Sequence, residues 1–301
     1  MAIREQNPEP KNPVGLDGIE FIEYATSQPQ ALGAVLQMMG FMPVARHRSR
    51  EVMLYRQGPM NLIVNAHPDA LPGLTTPGNR PTLSAIALRV RDADYAWRHA
   101  LELGAWEMPA RASSMELNIP GIHGVGDSLL YFVDRHRDFS IYDVDFVALP
   151  GVDPHPPALA AMHYFGVVQS IHGDRTQDWV DFYAQLFGFA ALPGGQYFGI
   201  LPKGTLLESP CGKFYLQLLE PPPGSGDIEW EERLLRIGIG APDVAVATNV
   251  LRERGVVFID RDPIQPSDKG ALTQIFLGSV TFELVKSHLD GNTDRAAART
   301  K

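Results

Sequence analysis

Gly18-Ile-Glu-Phe-Ile-Glu-Tyr-Ala25 and, in looser form, Ala161-Met-His-Tyr-Phe-Gly-Val-Val168 open the two halves of this chain. Each is a short apolar run, which reads as a buried strand. The next elements match as well. An amphipathic helix ends in Val35-Leu-Gln-Met-Met-Gly-Phe41 in one half and in Phe182-Tyr-Ala-Gln-Leu-Phe-Gly-Phe189 in the other, with Gly40 and Gly188 where a helix end takes a left-handed residue. Hairpin-like strands come next, 52–56 with 60–65 and 198–201 with 214–219. A second strand and helix come after these, 84–90 with 93–103 and 235–240 with 244–254, stopped by Gly104 and Gly255. Two strands close each half, 129–133 with 140–147 and 272–277 with 280–286.

The expected architecture is therefore α+β: tandem βαβββ modules forming two half-barrel domains with helices outside. Leu149-Pro-Gly-Val-Asp-Pro-His-Pro-Pro157 marks the joint, since its prolines favour a stiff, extended linker. The expected division is a flexible arm over 1–14, a first domain over 15–148, a linker over 149–160, a second domain over 161–289 and a tail over 290–301.

Composition narrows the partners. With a formal net charge of −9, the chain lacks the clustered Lys and Arg that phosphate binding needs, so no nucleic-acid partner is expected. No run approaches the roughly 20 apolar residues of a membrane span, and residues 1–8 carry no apolar leader core, so a cytoplasmic protein is expected. The single cysteine, Cys211, permits no intrachain disulfide. Aromatic residues 182, 183, 187 and 189 fall at helical spacing and read as core.

Strand period two lets His163, Arg236 and Glu283 converge on one sheet face although they lie far apart in the chain. An offset of 151 carries Arg236 to Ala85, Asp243 to Asp92 and Gly255 to Gly104. Glu20, Ala85 and Asp143 then occupy the matching places in the first half, a set with no ordinary metal chemistry.

Longer phrases carry a family resemblance. Asn12-Pro-Val-Gly-Leu-Asp-Gly-Ile-Glu-Phe-Ile-Glu-Tyr-Ala25, Ala45-Arg-His-Arg-Ser-Arg-Glu-Val-Met-Leu-Tyr-Arg-Gln-Gly58, Met115-Glu-Leu-Asn-Ile-Pro-Gly-Ile122 and Ser140-Ile-Tyr-Asp-Val-Asp-Phe146 resemble the 4-hydroxyphenylpyruvate dioxygenase family, within the vicinal oxygen chelate superfamily. The resemblance is strongest over residues 10–150 and thins beyond 160. It implies a glyoxalase-dioxygenase type of fold and, for an active member, a non-haem iron(II) dioxygenase acting on an aromatic 2-oxoacid. In that family two histidines and a carboxylate hold the iron and leave positions open for substrate and dioxygen. Matched position by position, His163 and Glu283 correspond to two of the metal ligands, and Gln274 to a glutamine lining the substrate pocket. The second histidine's place is taken by Arg236, which stays protonated and has no lone pair to give.

Two functions are expected on this basis. One is a dioxygenase-family protein that acts on or binds an aromatic 2-oxoacid or related small carboxylate, with Arg236 and Gln274 on the ligand and an incomplete iron(II) site of weak or absent affinity. The other is a metal-free binding or partner module, such as a detached C-terminal half of a 3-dehydroshikimate dehydratase-type system. No catalytic residue is assigned. A homo-oligomer is expected from the sheet edges such folds expose. A third metal ligand could come from His172 or Glu220; the remaining histidines, including His288, show no ligand spacing.

Overall fold

The computed structural model describes residues 12–67, 80–109, 117–136, 139–194, 199, 204–222, 230–259 and 269–289. The first half runs β1 (Ile19–Ala25), α1 (Pro29–Met38), β2 (Met42–His47), β3 (Val52–Gln57), β4 (Met60–Asn65), β5 (Thr82–Arg89), α2 (Ala93–Glu102), β6 (Gly121–His123), β7 (Leu129–Val133), α3 (Ile141–Asp145) and β8 (Phe146–Ala148). The second runs β9 (His163–Ser170), α4 (Thr176–Phe187), β10 (Ala190–Ala191), β11 (Thr205–Glu208), β12 (Tyr215–Leu219), β13 (Arg233–Ala241), α5 (Val244–Glu253), β14 (Gly270–Leu272) and β15 (Phe282–Lys286). Among the described residues no helix is long and apolar enough to cross a membrane.

The strands form two mixed sheets, ordered β6-β7-β5-β1-β4-β3-β2-β8 and β10-β11-β12-β9-β13-β15-β14. The repeat is visible in the pairing. β1 and β5 run antiparallel at the centre of one sheet, flanked by parallel partners β4 and β7. β9 and β13 do the same in the other, flanked by β12 and β15. The chain thus has the α+β fold of two half-barrels with helices outside.

Local chemistry repeats with the topology. At the start of α2 the Asp92 carboxylate accepts the Tyr95 amide at 2.8 Å, and at the start of α5 Asp243 accepts Val246 at 3.0 Å. Each satisfies an amide that the helix leaves unpaired. Past α1 and α4 the chain turns through Gly40 (φ 94°) and Gly188 (φ 81°), a conformation that glycine takes without steric cost.

Inner faces of the helices and one face of each sheet share a single core, in which Leu36, Ile86, Phe132, Phe187, Ile237 and Leu251 are all buried. Phe182, Tyr183, Phe187 and Phe189 pack there as expected. Each sheet's other face carries a smaller cluster of its own. Phe21, Leu54, Ile63 and Tyr142 belong to the first, and Phe165, Tyr215 and Val285 to the second.

Several expectations need correction. Residues 140–147 do not form one strand: 141–145 are helix α3, because Asp143 accepts both the amide and the hydroxyl of Ser140 at 2.8 Å and fixes a helical start. The strand expected over 272–277 stops at Leu272, and only single bridges at Thr273 and Phe276 continue it. Within the expected arm, Val14 is buried and Asn12 Oδ1 accepts the Leu16 amide at 2.7 Å, so 12–14 are packed. The linker is tied down as well, with Gly58 N–H donating to Pro156 O at 2.8 Å. Residues 1–11, the expected strand 198–201 apart from Gly199, and the tail 290–301 lie outside the described residues.

Candidate functional site

Arg236, Gly238 and Gly240 alternate onto the face of β13 turned away from the shared core, while Ile237 and Ile239 point into that core, fully buried. Glu283 on β15 pairs in register with Gly238. Its carboxylate oxygen Oε2 lies 3.2 Å from Arg236 Nε, and both side chains are under a tenth exposed. The contact is an ion pair without a directed hydrogen bond, because Arg236 Nε has no partner at hydrogen-bonding geometry. Burial lowers the Arg236 pKa from its ordinary value and the Glu283 charge opposes that shift. A cation so placed offsets the cost of burying the carboxylate.

His163 lies on the same face, on the other side of Glu283. It pairs with Gly240, two residues along β13 from Gly238, which is level with Glu283; Arg236, opposite Val168, is two residues along the other way. A bulge at Phe165, between the Gly238–Gly166 and Ile239–Tyr164 pairs, sets His163 opposite Gly240 instead of Ala241 and so turns it to this face. Both ring nitrogens of His163 are engaged: Nδ1 lies 3.1 Å from Ala161 O and Nε2 lies 2.8 Å from Ser287 Oγ. Burial lowers its pKa. Gln274 is exposed, its amide N–H donating to Val257 O at 2.9 Å, and it lies on the solvent side of the segment after β14. The structure therefore pairs Arg236 with Glu283, sets His163 on the same face with its ring bonded to Ala161 and Ser287, and leaves Gln274 exposed.

Register also corrects the first-half counterparts. Gly238 pairs with Glu283, and the residue 151 positions earlier, Ala87, pairs with Tyr131. Tyr131, not Asp143, stands in the place of Glu283. Asp143 caps α3, and Glu20 forms an ion pair with Arg89 at 2.5 Å.

Sequence reasoning missed the aromatic side of the face. Tyr215, Gly166, Gly238 and Glu283 form one row across four strands. The two glycines leave that row without side chains between Tyr215 and Glu283. Phe165 stacks on Tyr215 at 5.1 Å between ring centroids, and His288 Nε2 lies 2.9 Å from the Tyr215 hydroxyl. Burial, and then Glu208, push the Tyr215 phenol up to about 12. His288 had no spacing to betray it, because a residue just past the last strand meets Tyr215 only through the sheet.

The three residues that the resemblance matches to metal-ligand positions do not offer three donors here: Arg236 has no lone pair and pairs with Glu283, and His163 is bonded to Ser287 and Ala161. Among the described residues no group of three or more His, Cys, Asp or Glu side chains is placed to hold a metal.

Comparison with known proteins adds a lineage. Residues 10–147 match the family model described as hydroxyphenylpyruvate dioxygenase, HPPD, N-terminal. A 4-hydroxyphenylpyruvate dioxygenase of Pseudomonas sp. (strain P.J. 874) is 39% identical over 225 residues, covering 73% of this chain and 62% of that protein. A protein of the same name from Pseudomonas aeruginosa is 30% identical over 324 residues, covering 92% of this chain and 90% of that one. Among solved structures, a xylose isomerase-like TIM barrel/4-hydroxyphenylpyruvate dioxygenase fusion protein superposes with a TM-score of 0.71 at 23% identity, over 95% of this chain and 51% of that one.

Proposed function

Because the chain belongs to the 4-hydroxyphenylpyruvate dioxygenase family, we propose that its second half binds an aromatic 2-oxoacid or related small carboxylate at a site where the Arg236–Glu283 pair stands in place of iron. The observation that carries this reading is the buried 3.2 Å ion pair of Arg236 and Glu283, residues that the resemblance matches to two metal-ligand positions. A guanidinium has five N–H donors, so Arg236 can keep Glu283 and still receive a ligand carboxylate. Across the glycine row, Phe165 and Tyr215 offer the ligand's ring an aromatic wall.

Calorimetric titration of the full chain with 4-hydroxyphenylpyruvate, with and without iron(II), tests the reading. Binding without added iron is expected, weakened at least about tenfold by Arg236→Gln, the scale of one hydrogen bond between charged groups. A second reading, iron(II)-dependent oxidation of the same acid, is favoured by the name of the Pseudomonas aeruginosa relative. Iron-dependent binding accompanied by oxygen uptake would establish it and overturn the first.

A further inference from the structure

The first sheet also has a face turned away from the shared core, and a cavity of about 150 Å³ lies against it. Phe21, Tyr131, Tyr142 and Phe146 line it with aromatic rings, and Ile63 contributes an aliphatic wall. Phe21 and Tyr131 stand 5.9 Å apart between centroids on either side of Ala87, which puts only a methyl group between them. Helix α3 brings Tyr142 and Asp145 to the same space.

Among these rings the chain places Glu23, 9% exposed. Its Oε1 accepts Ser84 Oγ at 2.8 Å and Asn65 Nδ2 at 3.4 Å. Burying a carboxylate is costly, and the fold does not require one here. Glu23 pairs with Ala85; 151 positions later Arg236 pairs with Val168, so the second sheet puts an apolar residue at the equivalent point. The acid is a departure from the repeat, located where the cavity is.

The chemistry of an occupant follows from the walls. A volume of about 150 Å³ holds one benzene-sized ring. Aromatic walls favour a ring in offset or edge-on contact. A carboxylate only accepts, so the ligand must bring a donor. Arg50 also lines the space and brings a positive charge to it, so that donor need not be a cation. We propose that the first half holds a second small-molecule site, for a single-ring phenol whose hydroxyl donates to Glu23. This inference does not depend on the function of the second half.

Calorimetric titration of the full chain with phenol and with toluene, a ring of similar size lacking the hydroxyl, tests it. Phenol is expected to bind at least about tenfold more tightly than toluene. Glu23→Gln should remove that preference while toluene binding persists. Ile63→Phe should fill the cavity and abolish both, leaving 4-hydroxyphenylpyruvate titration of the second half unchanged. Thermal melts establish that each variant is folded. No phenol binding at millimolar concentration, equal affinity for the two rings, or undiminished phenol binding in folded Glu23→Gln or Ile63→Phe overturns the assignment.

Discussion

Arg236 stands where the resemblance expects a histidine, and its chemistry is that of a counter-ion, not a ligand. Removing it alone takes from Glu283, itself 3% exposed, the guanidinium 3.2 Å away. Arg236→Leu should therefore cost about 3–5 kcal/mol, read from urea denaturation midpoints. The double variant Arg236→Leu with Glu283→Leu should recover most of that loss, since no charge remains to desolvate. Equal destabilisation by the single and double changes would show that the pair contributes little to the fold. The arginine's position was legible in the sequence because the strand over 233–239 aligned with its counterpart. The way His163 reaches the same face was not: it depends on the Phe165 bulge, and a period-two pattern says nothing about where an extra residue enters a ladder.

Helix α3 shows how an element can be misread although its signal is present. Ile141, Tyr142, Val144 and Phe146 look like strand residues, yet Ser140 and Asp143 carry the spacing of a helix-start box, and hydrogen bonding at the start prevailed over propensity. Those two bonds to Ser140 hold the Asp143 carboxyl below its usual pKa. Asp143→Ala should lower stability by about 1 kcal/mol. A carboxyl depressed in the folded state stabilises above its unfolded pKa of about 3.9 and loses that contribution as pH falls through the lower folded value. The stability gap between parent and Asp143→Ala should thus be full at pH 6 and shrink below about pH 4. A gap independent of pH would remove the cap from this account. Elements that repeat, such as the helices capped by Asp92 and Asp243, were legible because two copies had to agree. Among the described residues α3 has no counterpart in the second half, so the repeat could not correct it.

At the scale of the molecule, two sheets built from separate halves of the chain share one hydrophobic core. Phe132 of the first half meets Phe187 of the second at 6.0 Å between ring centroids. Lys213 pairs with Asp17 at 2.7 Å, Arg254 donates to Gln37 O at 2.8 Å, and the Tyr164 hydroxyl donates to Asn61 O. Apolar burial is the largest favourable contribution to folding, so halves that share it should not unfold independently. The four tryptophans make this measurable, because Trp97 and Trp106 lie in the first half and Trp179 and Trp230 in the second. Two variants, each keeping the tryptophans of one half and carrying phenylalanine in the other, should show coincident urea transitions once corrected for their own stabilities. Phe187→Ala removes a fully buried ring from the shared core and should cost about 3–5 kcal/mol. If the halves are coupled, both fluorescence signals move to lower urea together. If only the second-half signal moves, the halves fold as separate domains and their shared cluster is a contact surface. Coupling of this kind would also let occupancy of a cavity in the first half stabilise the second, so a phenol-induced rise in the midpoint reported by Trp179 and Trp230 is the corresponding expectation.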